Sequence, residues 1–167
     1  KFPILIDEEG KTVSRLINIF HHNVTQKFFG DTFSLYPSLS LAIYKRYINH
    51  LSSTLKKLGI NINTVPVLDV LRKNTNKIIG SRSFSTNPHI IKKLVRICVE
   101  QYKLNKIGTV IKHIPGHGCS ETDSHLKMPI VNLDIKDLNK IDFKPFINNQ
   151  SFFAMTAHIL YKKIDKN

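Results

Sequence analysis

Short apolar runs alternate with longer segments of helical periodicity along this chain, and their order sets the expected fold. Phe2 to Ile6 is mostly apolar and stops at the carboxylates Asp7-Glu8-Glu9, so it reads as a short strand. Pro37 to Leu58 is the clearest helix. Leu41, Tyr44, Ile48, Leu51 and Leu55 fall on one stripe, with Lys45, Arg46, Lys56 and Lys57 off it. Pro37 suits the first turn, Ser38 or Ser40 the cap, and Gly59 the stop. Ile60 to Val67 reads as a second strand, with Pro66 near its end, where no further ladder bond is required. Asn87 and Pro88 cap and open another helix, whose apolar face is Ile90, Ile91, Leu94, Val95, Cys98 and Tyr102. Lys106 to Ile111 is the third strand. Leu133 to Ile147 is a weaker helix interrupted at Pro145, and Ser151 to Met155 is the fourth strand. Phe20 to Phe33 shows no clear period and reads as irregular.

Helices of this length between short apolar strands imply parallel strands joined by right-handed crossovers. Polar groups recur after the strands: Asp7, then Asp69 with Arg82, then Lys112 and His113, then His158. That recurrence fits an α/β fold of the (β/α)8 TIM-barrel type, which places its site at the C-terminal ends of the strands. A doubly wound sheet satisfies the same element order. About four strands are visible, half of an eight-stranded barrel. The expectation is therefore a single partial barrel domain over residues 1–167, incomplete at both ends. Open sheet edges would leave such a piece aggregation-prone unless a complementary chain or a homo-oligomer completed it.

Composition narrows the function classes. A hydrophobic content of 41% in 167 residues supports a globular core. No apolar run reaches the length of a membrane span, and the N-terminus lacks a signal-peptide pattern, so no membrane partner is expected. Two cysteines make no disulfide framework and favour a reducing compartment. The net charge of +13 would suit a polyanion. Its lysines are scattered in pairs, however, and no zinc finger, RNA-binding signature or basic zipper is present, so nucleic acid is not the expected partner.

The densest chemistry lies in Lys112-His113-Ile114-Pro115-Gly116-His117-Gly118-Cys119-Ser120-Glu121-Thr122-Asp123-Ser124-His125. Three readings compete. His113, His117, Asp123, His125 and Cys119 are zinc-ligand types, but Pro115 and Gly116 keep His113 and His117 off one helix face. Asp123 and His125 suit an acid–base pair, the carboxylate fixing the imidazole tautomer. Alternatively, the histidines simply bond backbone groups in a long loop. Asp7 and Arg15, eight apart, face one pocket or belong to a solvated turn. Arg82, beside Gly80 and Ser81, addresses a ligand or solvent. Adjacent His21 and His22 diverge on any regular element and read as surface or packing residues.

These residues resemble a known signature. Lys112 to Gly118, with Asp123-Ser124-His125 and Pro129, is similar to the K-H-F-P-G-H-G…D-S-H…P run of family 3 glycoside hydrolases. The resemblance is closest to the bacterial β-N-acetylhexosaminidases of peptidoglycan recycling. Asp7 to Arg15 resembles that family's D-x-E-G-G-x-V-x-R, with Lys11 and Thr12 departing from it. Val65-Pro66-Val67-Leu68-Asp69-Val70, Gly80 to Phe84 and Met155 to His158 resemble A-P-V-L-D-V, G-x-R-S-[FY] and M-x-A-H. The resemblance implies a cytoplasmic bacterial glycosidase that releases terminal β-linked N-acetylglucosamine from peptidoglycan fragments with retention. It implies His125 and Asp123 as the catalytic acid/base dyad. Asp7, Arg15, Arg82, Lys112 and His113 would hold the sugar, without a metal or organic cofactor. The family's nucleophilic aspartate matches no residue of this chain, so an inactive sugar-binding remnant is the alternative.

Overall fold

A computed structural model describes residues 2–121 and 128–165. Four strands, β1 (Leu5–Ile6), β2 (Ile62–Asn63), β3 (Gly108–Ile114) and β5 (Phe153–Thr156), form one parallel sheet in the order β1-β2-β3-β5. β4 (Ile130–Val131) and β6 (Leu160–Tyr161) make a separate parallel pair. The helices are α1 (Gln26–Leu35), α2 (Pro37–Lys57), α3 (Pro88–Leu104) and the short α4 (Ile135–Lys140). This is the expected α/β arrangement, with one or more helices between successive sheet strands.

α2 and α3 form where the apolar stripes predict them. Tyr44, Ile48, Leu51 and Leu55 of α2, and Ile91, Leu94, Val95, Cys98 and Tyr102 of α3, are buried in one core with Val65, Leu68 and Ile111. Asn87 caps α3 by accepting from the His89 N–H at 2.9 Å. Gly59, at φ +78°, ends α2 in the left-handed conformation that a β-carbon disfavours. Ser38 and Ser40 do not cap α2. Tyr36 holds the cap position, and the Ser40 hydroxyl instead donates to the Phe29 carbonyl at 2.9 Å.

Beyond the first and last sheet strands, which pair only at Leu5–Ile6 and Phe153–Thr156, four segments differ from the sequence reading. Phe20 to Phe33 is not wholly irregular, because Thr25 caps α1 by accepting from the Phe28 N–H at 3.2 Å. The second strand pairs regularly only at Ile62–Asn63. Beyond it the backbone still bonds to β3, Val110 N–H donating to Val65 O at 3.1 Å and Leu68 N–H to Lys112 O at 2.7 Å. β3 continues through Ile114, so Lys112 and His113 are strand residues rather than the start of a loop. The segment 133–147 forms only the six-residue α4 and a 3-10 turn at Lys144–Phe146, where Pro145 sits. The extension of β3 matters most. Ile111 packs into the helix-side core, so the strand's alternation turns Lys112 to the opposite face.

Candidate active site

On that opposite face, β1, β2 and β3 bring together charges far apart in sequence. Lys112 is buried, and its ammonium lies 2.6 Å from Glu9 Oε1, 2.9 Å from Asp7 Oδ1 and 3.0 Å from Thr64 Oγ1. An ammonium has three N–H donors, and these partners occupy all three. Asp7 and Glu9 reach one cation because residues two apart on extended backbone share a side. Glu9 also takes a two-point contact from Arg82, Nε to Oε2 at 2.7 Å and Nη2 to Oε1 at 2.8 Å. Arg82 Nη1 donates to the Ile78 carbonyl at 3.1 Å, so this guanidinium is neither solvated nor idle.

Burial pushes the Asp7 and Glu9 carboxyls upward. Hydrogen bonds and charge from Thr64 and Lys112 at Asp7, and from Arg82 and Lys112 at Glu9, outweigh it and hold both below the ordinary carboxylate range. Among the described residues, both side-chain bonds to Asp7 fall on Oδ1, which leaves Oδ2 able to accept from a ligand hydroxyl.

Asp69, fully buried at the end of the β2 segment, orients the next residues of β3. Its Oδ2 lies 2.7 Å from His113 Nδ1, and its Oδ1 accepts from the His117 N–H at 2.6 Å. Burial raises this carboxyl, but the bonds from His113 and His117 outweigh it and lower the value overall. A carboxylate at Nδ1 fixes the His113 tautomer and leaves Nε2 for the cavity, with Arg82 Nη2 3.5 Å away. His117 is buried, and burial lowers its pKa.

Asp7, Glu9, Arg82, Lys112, His113 and His117 line a cavity of about 480 Å³ at the C-terminal ends of the strands. Arg15, Lys77, Met155 and His158 complete its rim. The Arg15 and Lys77 side chains are exposed and carry no ion pair among the described residues. Asp7, Arg15, Arg82, Lys112 and His113 therefore all line one cavity. Asp123 and His125 lie outside the described residues. Among the described residues, no group of three or more His, Cys, Asp or Glu could hold a metal ion.

Glu9 and the Asp69–His113 pair were not singled out in the sequence. The Asp7/Glu9 spacing was the available signal for the first. The second needs the fold, because 44 positions separate its partners. His21 is exposed, whereas His22 is largely buried, 2.7 Å from Glu8 Oε1 and 3.2 Å from the Tyr47 hydroxyl. Glu8 in turn accepts from the Arg15 and Leu16 backbone at 2.8 and 2.9 Å, fixing the turn that carries Arg15.

The family described as "Glycosyl hydrolase family 3 N terminal domain" matches residues 16–167. The chain belongs to this family. A beta-hexosaminidase A of Pseudoalteromonas piscicida is 32% identical over 98% of this chain and 28% of its own length. A beta-hexosaminidase of Nitrosomonas eutropha is 30% identical over 98% of this chain and 48% of its own. The crystal structure of native NagZ from Neisseria gonorrhoeae superposes with a TM-score of 0.90 at 28% identity, over 99% of this chain and 49% of that one. This family 3 chain thus spans half or less of the length of these relatives. The fold is the TIM-barrel type of the family 3 N-terminal domain, here with four parallel sheet strands among the described residues.

Proposed function

We propose that this chain supplies the sugar-binding wall and the acid/base residues of a retaining β-N-acetylhexosaminidase acting on terminal N-acetylglucosamine of peptidoglycan fragments. The carrying observation is the strand-end cavity, in which, among the described residues, no partner takes Asp7 Oδ2 or the Arg15 guanidinium. Lys112 and Arg82 act mainly by holding Asp7 and Glu9 in place, since all three donors of Lys112 and most of those of Arg82 are engaged. His113 offers Nε2 to a sugar hydroxyl. The resemblance supports the cell-wall substrate and a bacterial cytoplasmic setting.

In this reading a carboxylate from a complementary segment or chain attacks the anomeric carbon. The glycosidic C–O bond breaks with its electron pair on the leaving oxygen, which takes a proton from His125 while Asp123 orients the ring. A water molecule then gives its proton back to His125 and displaces the carboxylate, with net retention. This chemistry requires no metal or organic cofactor.

The test is hydrolysis of a chromogenic β-N-acetylglucosaminide by this chain and by a form extended with the remaining barrel strands. His125→Ala in the active form is expected to lower turnover about 10²-fold or more. Unchanged turnover removes the dyad from the mechanism. A sugar-binding remnant would show stabilisation by N-acetylglucosamine with no turnover by the isolated chain.

A further inference from the structure

One segment that the proposed chemistry does not use grips the stem of the polar stretch after β3, Pro115 to Glu121. Asn74, Thr75 and Asn76 lie between β2 and α3. Thr75 Oγ1 donates to the Gly118 carbonyl at 2.6 Å. The Asn76 backbone N–H donates to the Ser120 carbonyl at 3.0 Å, and its Nδ2 to the Glu121 carbonyl at 3.0 Å. Asn74 Nδ2 donates to Glu121 Oε1 at 2.9 Å. Three adjacent residues thus direct four donors onto Gly118–Glu121, and three of the acceptors are backbone carbonyls.

The gripping segment is itself braced. Thr75 Oγ1 accepts from the Arg72 N–H at 2.6 Å, Asn76 Oδ1 accepts from the Ile78 N–H at 2.9 Å, and the Arg72 guanidinium pairs with buried Asp142. On the other side of the stem, the Tyr161 hydroxyl donates to the Gly116 carbonyl at 2.5 Å. Contact is close enough that a β-carbon on Gly118 would lie 1.8 Å from the Val70 carbonyl oxygen. The stem is therefore fixed as far as Glu121, two residues before Asp123.

We propose that Thr75 and Asn76 are positioning residues for the Asp123–His125 pair, by fixing Gly118–Glu121, the stretch that precedes it in the chain. The inference rests on the reading of that pair as the proton-transfer dyad. Its physical basis is that proton transfer to a leaving oxygen tolerates little displacement, a shift of about 1 Å costing on the order of 10²-fold in rate. A carbonyl clamp sets backbone position directly, whatever side chains the loop carries.

Two measurements on Thr75→Val, Thr75→Ser and Asn76→Ala test it. The first is amide hydrogen exchange of peptides covering Gly118–Glu121 in this chain, which needs no turnover. The clamp bonds oxygens rather than these amides, so it slows them only by holding the stretch closed; exchange is expected to quicken about tenfold in Thr75→Val and Asn76→Ala, as opening becomes easier by roughly one hydrogen bond. Thr75→Ser, which keeps the hydroxyl, should stay near wild type, as should peptides from α3 and β3 in all variants. Unchanged exchange in both disruptive variants overturns the clamp. The second is kcat/KM of the extended, active form on two aryl β-N-acetylglucosaminides. Phenol is a poor leaving group that needs protonation, and 2,4-dinitrophenolate needs none. Both disruptive variants should lose about tenfold on the phenyl substrate and little on the dinitrophenyl one, with Thr75→Ser restoring the rate. An equal loss on both substrates marks a merely structural role and overturns the proposal. Absence of wild-type turnover defeats the hydrolase reading and the positioning role with it, while exchange still reports whether the clamp exists.

Discussion

Glu9 is the residue on which the site's electrostatics turn. Its carboxylate meets Arg82 and Lys112 with little solvent access to any of the three. Removing one member of such a group leaves buried charge uncompensated, which costs about 3–5 kcal/mol. Glu9→Gln is therefore expected to lower unfolding free energy by about that amount in urea titrations. An effect within about 0.5 kcal/mol would show that Arg82 and Lys112 find other partners. The pH response follows from the same scale. Asp7, Glu8, Glu9 and Asp69 are all held below their ordinary values. The folded state therefore binds these protons more weakly than the unfolded state. Their stabilisation is complete above the unfolded carboxylate value of about 4 and is lost as pH falls through the folded values. Asp142, raised by burial, works in the opposite sense at one position. The urea midpoint should fall modestly as pH drops through about 6.5, where the unfolded chain protonates His117 more readily than the buried ring does, and fall further below about pH 4. A midpoint that rose on acidification would contradict the four-carboxylate account.

At the scale of elements, α1 connects the core to the site. Its Gln26 side chain spans Val67, accepting from the N–H and donating to the carbonyl, each at 3.1 Å, and also donates to the Arg82 carbonyl. One turn on, Gly30 sits so close to Phe84 that a β-carbon would lie 1.8 Å from its carbonyl oxygen. Gly30→Ala must push α1 off the turn that carries Arg82. A loss of about 3 kcal/mol is expected from overpacking against backbone, with weaker binding of N-acetylglucosamine by calorimetry. Stability within error of wild type would mean that α1 shifts freely. Leu51→Ala in α2 is the contrasting case. It deletes a fully buried side chain in the common core, at an expected cost of about 2–5 kcal/mol. Sugar affinity should survive in whatever fraction remains folded.

At the scale of the whole molecule, the sheet exposes an edge strand with apolar side chains. All four residues of β5 are exposed, and Phe152 just before it is 87% exposed. Such a strand offers unpaired backbone and apolar surface to another strand. We propose that further strands of a complementary segment or chain cover it. Without them the chain is expected to self-associate as concentration rises, read as mass by light scattering after size exclusion. Phe152→Lys should reduce that association. A strictly monomeric wild type at high concentration would remove the argument.

The sequence alone determined what depends on local order. Helical stripes located α2 and α3, Asn87-Pro88 and Gly59 marked helix ends, and alternating element types implied parallel strands. The family resemblance, and not local pattern, named Asp7, Arg15, Arg82, Lys112 and His113 together as candidate sugar-holding residues. Local pattern missed α1, because Gly30 reads as a break unless Phe84 is known to press against it. It also ended β3 too early, because Lys112 and His113 look like loop residues until Asp7, Glu9 and Asp69 are seen to compensate them. Tertiary structure decided those pairings, and with them which cations remain available to a ligand. Lys112 and Asp7 meet across 105 positions, and charge compensation at that range depends on strand order and register, which no local pattern encodes.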